Sequence, residues 1–189
     1  MTDSNQDSNV KPVELGIRSA IVSVFVLGIR KRNPGAVVNA VFSLLGTYLP
    51  ALLERTLGVE FRPWQRLYVE SAMLTHAVGM LGPYDDVWWW DHLTHTHSAS
   101  VAGGIIHVIA TRRGHDPRPR VIGVIAFLGV AWELTEYLIH FVANRLGIDP
   151  ILVQYGREDT AFDLVFNLVG ALIVVVFGDR MLRNFTRDD

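Results

Sequence analysis

Long apolar runs constrain this chain more than any other feature of its sequence. A helix that rises about 1.5 Å per residue needs about 20 apolar residues to cross the hydrocarbon core of a bilayer. About six runs approach that length, at residues 13–29, 35–53, 64–82, 92–111, 120–143 and 160–182. We therefore predict an all-α fold, a polytopic helical membrane bundle with about six transmembrane helices.

The first run is the weakest of the six and the last is the plainest. Glu14 and Arg18 interrupt the first run, so five spans plus a surface helix is an alternative arrangement. The segment 168–178, LVGALIVVVFG, carries no charge. The polar residues 1–12 predict a disordered tail. Residues 13–185 are then a single transmembrane helical domain.

The composition excludes several kinds of site and partner. The chain has no cysteine, which excludes disulfides, thiolate zinc sites and cysteine nucleophiles. A formal net charge of −2 gives no support to a nucleic-acid partner. Membrane lipids are the predicted partners, and a homo-oligomer is compatible with the sequence.

The distribution of Lys and Arg predicts the orientation, because cytoplasmic loops are enriched in these residues. With both termini in the cytoplasm, ten of them lie on the cytoplasmic side and five, including the triplet 30–32, lie on the other. We therefore predict a multi-pass protein of the cell (cytoplasmic) membrane with cytoplasmic termini.

Polar residues within the last three runs fall at one membrane depth, near the outer ends of spans four to six. Residues three and four apart share a face of a helix, so each span carries one polar stripe. His97 and His107 point away from their stripe, whereas His76 of the third run is close enough in depth to join the cluster. The three stripes comprise Asp91, His92 and His95; Glu133, Glu136 and His140; and Asp159, Asp163 and Asn167.

Ionisable side chains are costly in lipid and therefore face one another, water or a cofactor. Buried hydrogen bonds that only hold the helices together are the simplest explanation for any one of them. Nine such residues at one depth favour a functional site instead. Gly170 continues the stripe of the last span, where a missing side chain lets a neighbouring helix approach. Trp88, Trp89 and Trp90 are typical of anchors at the membrane interface.

Carboxylates and imidazoles in this pattern suit a divalent metal ion that polarises a phosphoryl group or activates water. Arg157 lies at the depth of the cluster and suits a lipid phosphate. A proton-coupled transporter and an accessory protein with a purely structural cluster remain alternatives. As site residues we predict Asp91, His92, Glu133, Glu136 and Asp163 as catalytic, His95, His140 and Asp159 as metal ligands, and Asn167 and Arg157 as substrate-binding.

The order of these motifs resembles a known family of membrane proteins. Residues 91–95 read D-H-x-x-H, residues 132–137 read W-E-x-x-E-Y, and residues 158–171 read E-D-T-x-x-D-x-x-x-N-x-x-G-A. Over residues 85–175 the chain looks like the uncharacterised inner-membrane proteins typified by YjdF, and more distantly like VanZ-like proteins. The resemblance implies a polytopic membrane protein and no particular reaction. The association of VanZ-like proteins with glycopeptide resistance points to envelope lipids or cell-wall precursors.

Overall fold

The structure is a computed structural model that describes residues 3–186, with side chains from residue 10 onwards. These residues form helices and no strand, which confirms the all-α prediction. The helices are α1 (Asp3–Arg30), α2 (Pro34–Gly46), α3 (Leu49–Leu57), α4 (Pro63–Gly79), α5 (Pro83–Asp86), α6 (Trp90–Arg112), α7 (Pro117–Leu146), α8 (Arg157–Met181) and α9 (Arg183–Thr186).

Among the described residues, four helical stretches are long and apolar enough to cross a membrane: Val10–Arg30, Pro34–Leu57, Pro117–Leu146 and Arg157–Met181. The first run is among them, although Glu14 and Arg18 interrupt it. The runs at 64–82 and 92–111 form α4 and α6, whose polar residues lower their hydropathy. Several membrane-spanning helices are therefore supported, and a total of about six stays a prediction.

Helix α1 extends into the segment for which the sequence predicts a disordered tail. Helix α1 begins at Asp3, so residues 3–12 are helical, and residues 1 and 2 lie outside the described residues. Once the apolar run has formed a helix, adding neighbouring residues requires no new nucleation. The polar composition of residues 3–12 therefore did not decide their conformation.

Contacts divide the chain into two compact units, where the sequence predicted a single domain over residues 13–185. We call the residues up to Asp86 the N-terminal unit and the residues from Val87 the C-terminal unit. In the N-terminal unit, α1, α2 and α4 pack together around Ile21, Val24, Ala40 and Ala77. His76 of this unit hydrogen-bonds with the hydroxyl of Tyr84 at 2.9 Å.

A buried ion pair joins α1 to α4 within the N-terminal unit. Arg18 Nη2 donates to Glu70 Oε1 at 2.7 Å, and the Glu70 side chain is only 1% exposed. The Arg18 guanidinium also lies 4.7 Å from the centre of the Tyr48 ring and 4.0 Å from Glu14. The positive charge of Arg18, which interrupts the first apolar run, is thus compensated by the negative charge of Glu70 on α4.

Replacing Glu70 with glutamine is expected to lower the free energy of unfolding by about 1–2 kcal/mol, because a buried charge-assisted hydrogen bond becomes weaker. Thermal unfolding of the purified protein, followed by tryptophan fluorescence, measures the loss. Glu54→Gln is the matched control, since its pair with Arg66 is more exposed and is expected to contribute less than about 1 kcal/mol. Equal losses in the two variants would contradict a special role for the Arg18–Glu70 pair.

In the C-terminal unit, α6, α7 and α8 pack against one another around an apolar core of Ala99, Val121, Ile125, Ala171 and Val174. The closest approach is at Gly170 of α8, where an added Cβ would lie 2.4 Å from the carbonyl oxygen of Thr96 and 2.8 Å from Ala99 Cβ. The prediction that Gly170 lets a neighbouring helix approach is therefore confirmed. This contact brings the polar stripes of α6 and α8 together.

Candidate functional site

Asp163 lies at the centre of the polar residues in the C-terminal unit. Its side chain is 1% exposed, although it is an aspartate on a helix apolar enough to span a membrane. Neither carboxylate oxygen accepts a hydrogen bond from an ordinary N–H or O–H donor among the described residues, and the nearby Asp159 carboxyl can hydrogen-bond with Asp163 only by sharing a proton. Because a buried carboxylate without partners is strongly destabilising, this position requires a cation or a proton.

Two residues of α6, the histidine His95 and a second acid, Asp91, lie near this carboxylate. His95 Nε2 lies 3.7 Å from Asp163 Oδ1 and 3.4 Å from Asp91 Oδ1. Asp91 and His95 share a face of α6 because they are four residues apart. One potential ligand atom from each of Asp91, His95 and Asp163 lies within 4.8 Å of the others.

These separations are long for direct hydrogen bonds and close to the spacing of two ligands of one ion. An N–H···O hydrogen bond spans about 2.7–3.2 Å between its heavy atoms, so 3.4 and 3.7 Å are long for one. Two ligands bound tetrahedrally at about 2.0–2.2 Å from a metal lie about 3.3–3.6 Å apart. Asp91, His95 and Asp163 are therefore a possible metal-binding group with one nitrogen and two oxygen ligands.

His92 approaches Asp163 from the next position on α6, with its Nδ1 atom 3.7 Å from Asp163 Oδ1. Its ring is stacked on Phe166 of α8, with the ring centres 4.5 Å apart and the planes 4° from parallel. Trp88 contacts the same imidazole edge-on at 5.9 Å. Packing against the rings of Phe166 and Trp88 holds the His92 imidazole in place beside the Asp163 carboxylate.

The carboxylates of α7 extend the group to the third helix. Glu133 is buried and hydrogen-bonds with Thr160 of α8. Glu136 accepts a hydrogen bond from Trp132 Nε1 at 2.8 Å. Asp163 interacts electrostatically with acids of all three helices, namely Asp91, Asp159, Glu133 and Glu136. Acids from each of the three predicted stripes are therefore close enough to interact.

The remaining predicted site residues are His140, Asn167 and Arg157. His140 Nδ1 accepts a hydrogen bond from the backbone N–H of Gln154 at 3.2 Å, in the connection between α7 and α8. Asn167 is buried and close to Gly129, where an added Cβ would lie 2.9 Å from Asn167 Nδ2. Arg157 is exposed as the first residue of α8. The functional roles predicted for these residues stay predictions.

Comparison with known proteins places the chain in a family. The model of the family described as "Predicted membrane protein (DUF2238)" matches residues 14–184. The chain belongs to this family. An uncharacterized protein of Thermotoga maritima is 27% identical over 154 residues, which cover 76% of this chain and 77% of the relative. No solved structure matches the chain.

Membership of DUF2238 confirms that the chain belongs to an uncharacterised family of membrane proteins. The finer resemblance to YjdF-type and VanZ-like proteins stays a prediction.

Sequence reasoning missed several residues that shape the site in this DUF2238 member. Thr94 is buried, and its hydroxyl donates to the backbone oxygen of Asp91 at 2.8 Å while lying 3.3 Å from the Asp91 carboxylate. Because Thr94 is three residues after Asp91, helical periodicity predicts that the two share a face of α6. Thr160 stands in the motif at residues 158–171 but was not predicted as a site residue, whereas Phe166 had no comparable signal, because its role depends on which residues of other helices lie beside it.

Proposed function

We propose that the C-terminal unit binds a divalent metal ion through Asp91, His95 and Asp163, and that this metal-assisted site binds or acts on the headgroups of envelope lipids. The observation that carries the proposal is the buried carboxylate of Asp163. It accepts no hydrogen bond from an ordinary N–H or O–H donor among the described residues, and its Oδ1 atom lies 3.7 Å from a ring nitrogen of each of two histidines. The match of the chain to a membrane-protein family supports a lipid environment.

Mixed imidazole and carboxylate ligands suit borderline or hard divalent ions such as zinc or manganese. A metal with three protein ligands keeps an open position, at which it polarises a phosphoryl oxygen or activates water. His92 and Glu133 are the groups of the chain best placed to exchange protons beside this ion, because both lie next to the three ligands without belonging to them.

The surroundings of the site support a substrate at the membrane interface. Trp88 is 80% exposed, and Trp132 is also exposed, as expected for rings that contact the headgroup layer. Arg157 begins α8, the helix that carries Asp163. Arg157 is exposed, and a guanidinium at such a position can bind a phosphate. In the orientation predicted from Lys and Arg, the site lies toward the outer leaflet.

Elemental analysis of the protein, purified without chelators, tests the metal. We expect at least about one equivalent of a divalent metal per chain. A chelator is expected to remove this metal, and reconstitution is expected to restore it. Absence of metal after both purification and reconstitution would reject the proposal. In that case, uptake into proteoliposomes driven by a pH gradient would support the alternative of a proton-coupled transporter.

Replacing Arg157 with alanine is expected to weaken binding of a soluble short-chain phosphatidic acid by about ten-fold, which corresponds to about 1.4 kcal/mol. Isothermal titration calorimetry in detergent measures the affinity. Arg145→Ala is the matched control, because Arg145 is also exposed and lies over the ring of Phe141 at the end of α7. Equal affinities for wild type and Arg157→Ala would remove phosphate recognition by this residue.

A further inference from the structure

Exposed arginines cluster at the end of the C-terminal unit that is remote from Asp91, His95 and Asp163. They come from the C-terminus of α6, the N-terminus of α7, the C-terminus of α8 and the short helix α9. Within residues 111–120 and 178–186, two aspartates, Asp116 and Asp179, oppose their charge. We call the cluster the arginine surface, which consists of Arg112, Arg113, Arg118, Arg120, Arg180 and Arg183.

Contacts between helices bring these arginines to one end of the unit. Arg118 Nη2 of α7 lies 3.4 Å from Asp179 Oδ2 of α8. Arg112 Nε of α6 donates to the backbone oxygen of Phe185 in α9 at 2.7 Å, and the Phe185 side chain is buried. The fold itself therefore forms the arginine surface, which lowers the entropy that would be lost in assembling it around a ligand.

The length of α6 separates the arginine surface from the candidate metal site by about the thickness of a bilayer core. Helix α6 has 23 residues, so at about 1.5 Å per residue it is about 34 Å long. Asp91 is in its first turn and Arg112 is its last residue. The hydrocarbon core of a bilayer is about 30 Å thick. With the acids at one membrane surface, the arginines therefore lie at the other.

Exposed apolar side chains border the arginine surface on the helices that carry it. Ile122 follows Arg120 on α7 and is 38% exposed, and Phe177 precedes Arg180 on α8 and is 51% exposed. Such a boundary between arginines and exposed apolar side chains matches the boundary between lipid headgroups and acyl chains. A guanidinium also binds a phosphate through two N–H groups at once. The arginine surface therefore has the chemistry to contact both parts of a phospholipid.

We propose that the arginine surface binds the phosphate groups of anionic phospholipids in the leaflet opposite to the candidate metal site. Its excess of positive charge attracts anionic headgroups and gives no such advantage to zwitterionic ones. In the orientation predicted from Lys and Arg, this leaflet is the cytoplasmic one, whose surface is negative. The inference goes beyond the proposed function and does not require a metal ion, because it concerns the other end of the unit.

The experiment titrates dihexanoyl phosphatidylglycerol, a soluble anionic lipid, into the full chain in detergent and measures its affinity by isothermal titration calorimetry. A chelator is present and every protein carries Arg157→Ala, so neither a metal ion nor the phosphate contact proposed at the other end contributes. We expect phosphatidylglycerol to bind at least about ten-fold more tightly than dihexanoyl phosphatidylcholine. The double variant Arg113→Gln and Arg180→Gln is expected to lower the affinity for phosphatidylglycerol about ten-fold or more. The double variant Arg30→Gln and Lys31→Gln is the matched control, since it removes two exposed positive charges from the N-terminal unit, and it is expected to retain that affinity.

Three outcomes would overturn the proposal. Equal affinities for phosphatidylglycerol and phosphatidylcholine would show that the surface does not select anionic lipids. Equal losses in the two double variants would show that net charge alone explains the binding. Inorganic phosphate that binds as tightly as phosphatidylglycerol would identify a free phosphate, rather than a lipid, as the ligand. The preference of the intact arginine surface for phosphatidylglycerol tests the proposal even if its double variant does not fold.

Discussion

Asp163→Asn is expected to lower the affinity of the purified protein for divalent metal by more than about 100-fold. Loss of a residue that only supports a metal ligand costs about 10–100-fold, and Asp163 is itself a proposed ligand of the site. An amide has nearly the same shape as a carboxylate but lacks its negative charge. The substitution therefore weakens metal binding while leaving the packing of α6 against α8 in place. Titration with Mn²⁺ followed by elemental analysis measures the effect.

Thermal unfolding of the same variant separates a metal site from a structural cluster. Without metal, Asp163→Asn is expected to be at least as stable as the wild type, because it removes a buried charge that accepts no hydrogen bond from an ordinary N–H or O–H donor among the described residues. Glu158→Gln controls for loss of an acid on α8, since Glu158 is exposed. Unchanged metal affinity together with a large loss of stability would instead support a purely structural role for Asp163.

Gly170→Ala is expected to lower the free energy of unfolding by about 2–3 kcal/mol, as in other overpacked interiors. The added methyl group would lie 2.4 Å from the backbone oxygen of Thr96 and 3.0 Å from the backbone nitrogen of Ser100. Backbone atoms cannot rotate away from a clash, so α6 and α8 must move apart. Since Asp91 and His95 are on α6 and Asp163 is on α8, metal affinity is expected to fall as well.

Gly123→Ala is the matched control for this substitution. Gly123 is also inside a helix of the C-terminal unit, and an added Cβ there would have no atom within 4 Å. Alanine has the higher helix propensity, so this variant is expected to be as stable as the wild type or more so. Thermal unfolding and Mn²⁺ titration of both variants check the prediction. Equal stability of the two would show that the α6–α8 contact tolerates a side chain.

The polar stripes were predictable because helical periodicity is a local property. A spacing of four residues places Asp91 and His95 on one face of any helix, and the same rule groups Asp159 with Asp163. The apolar runs likewise predicted the helices, including the first run despite Arg18. The sequence could not show that Glu70, 52 residues further along the chain, compensates the charge of Arg18. That pairing depends on how α1 packs against α4.

The sequence by itself determined the all-helical fold, the membrane character and the set of residues available for a site. Hydrophobicity and periodicity act along a single helix, so they can be read from the order of residues. Only the tertiary structure decided that Asp163 lies between Asp91, His92 and His95, while His140 instead accepts a hydrogen bond from Gln154. The distances between helices depend on side chains that meet from distant parts of the chain, above all on the missing side chain of Gly170.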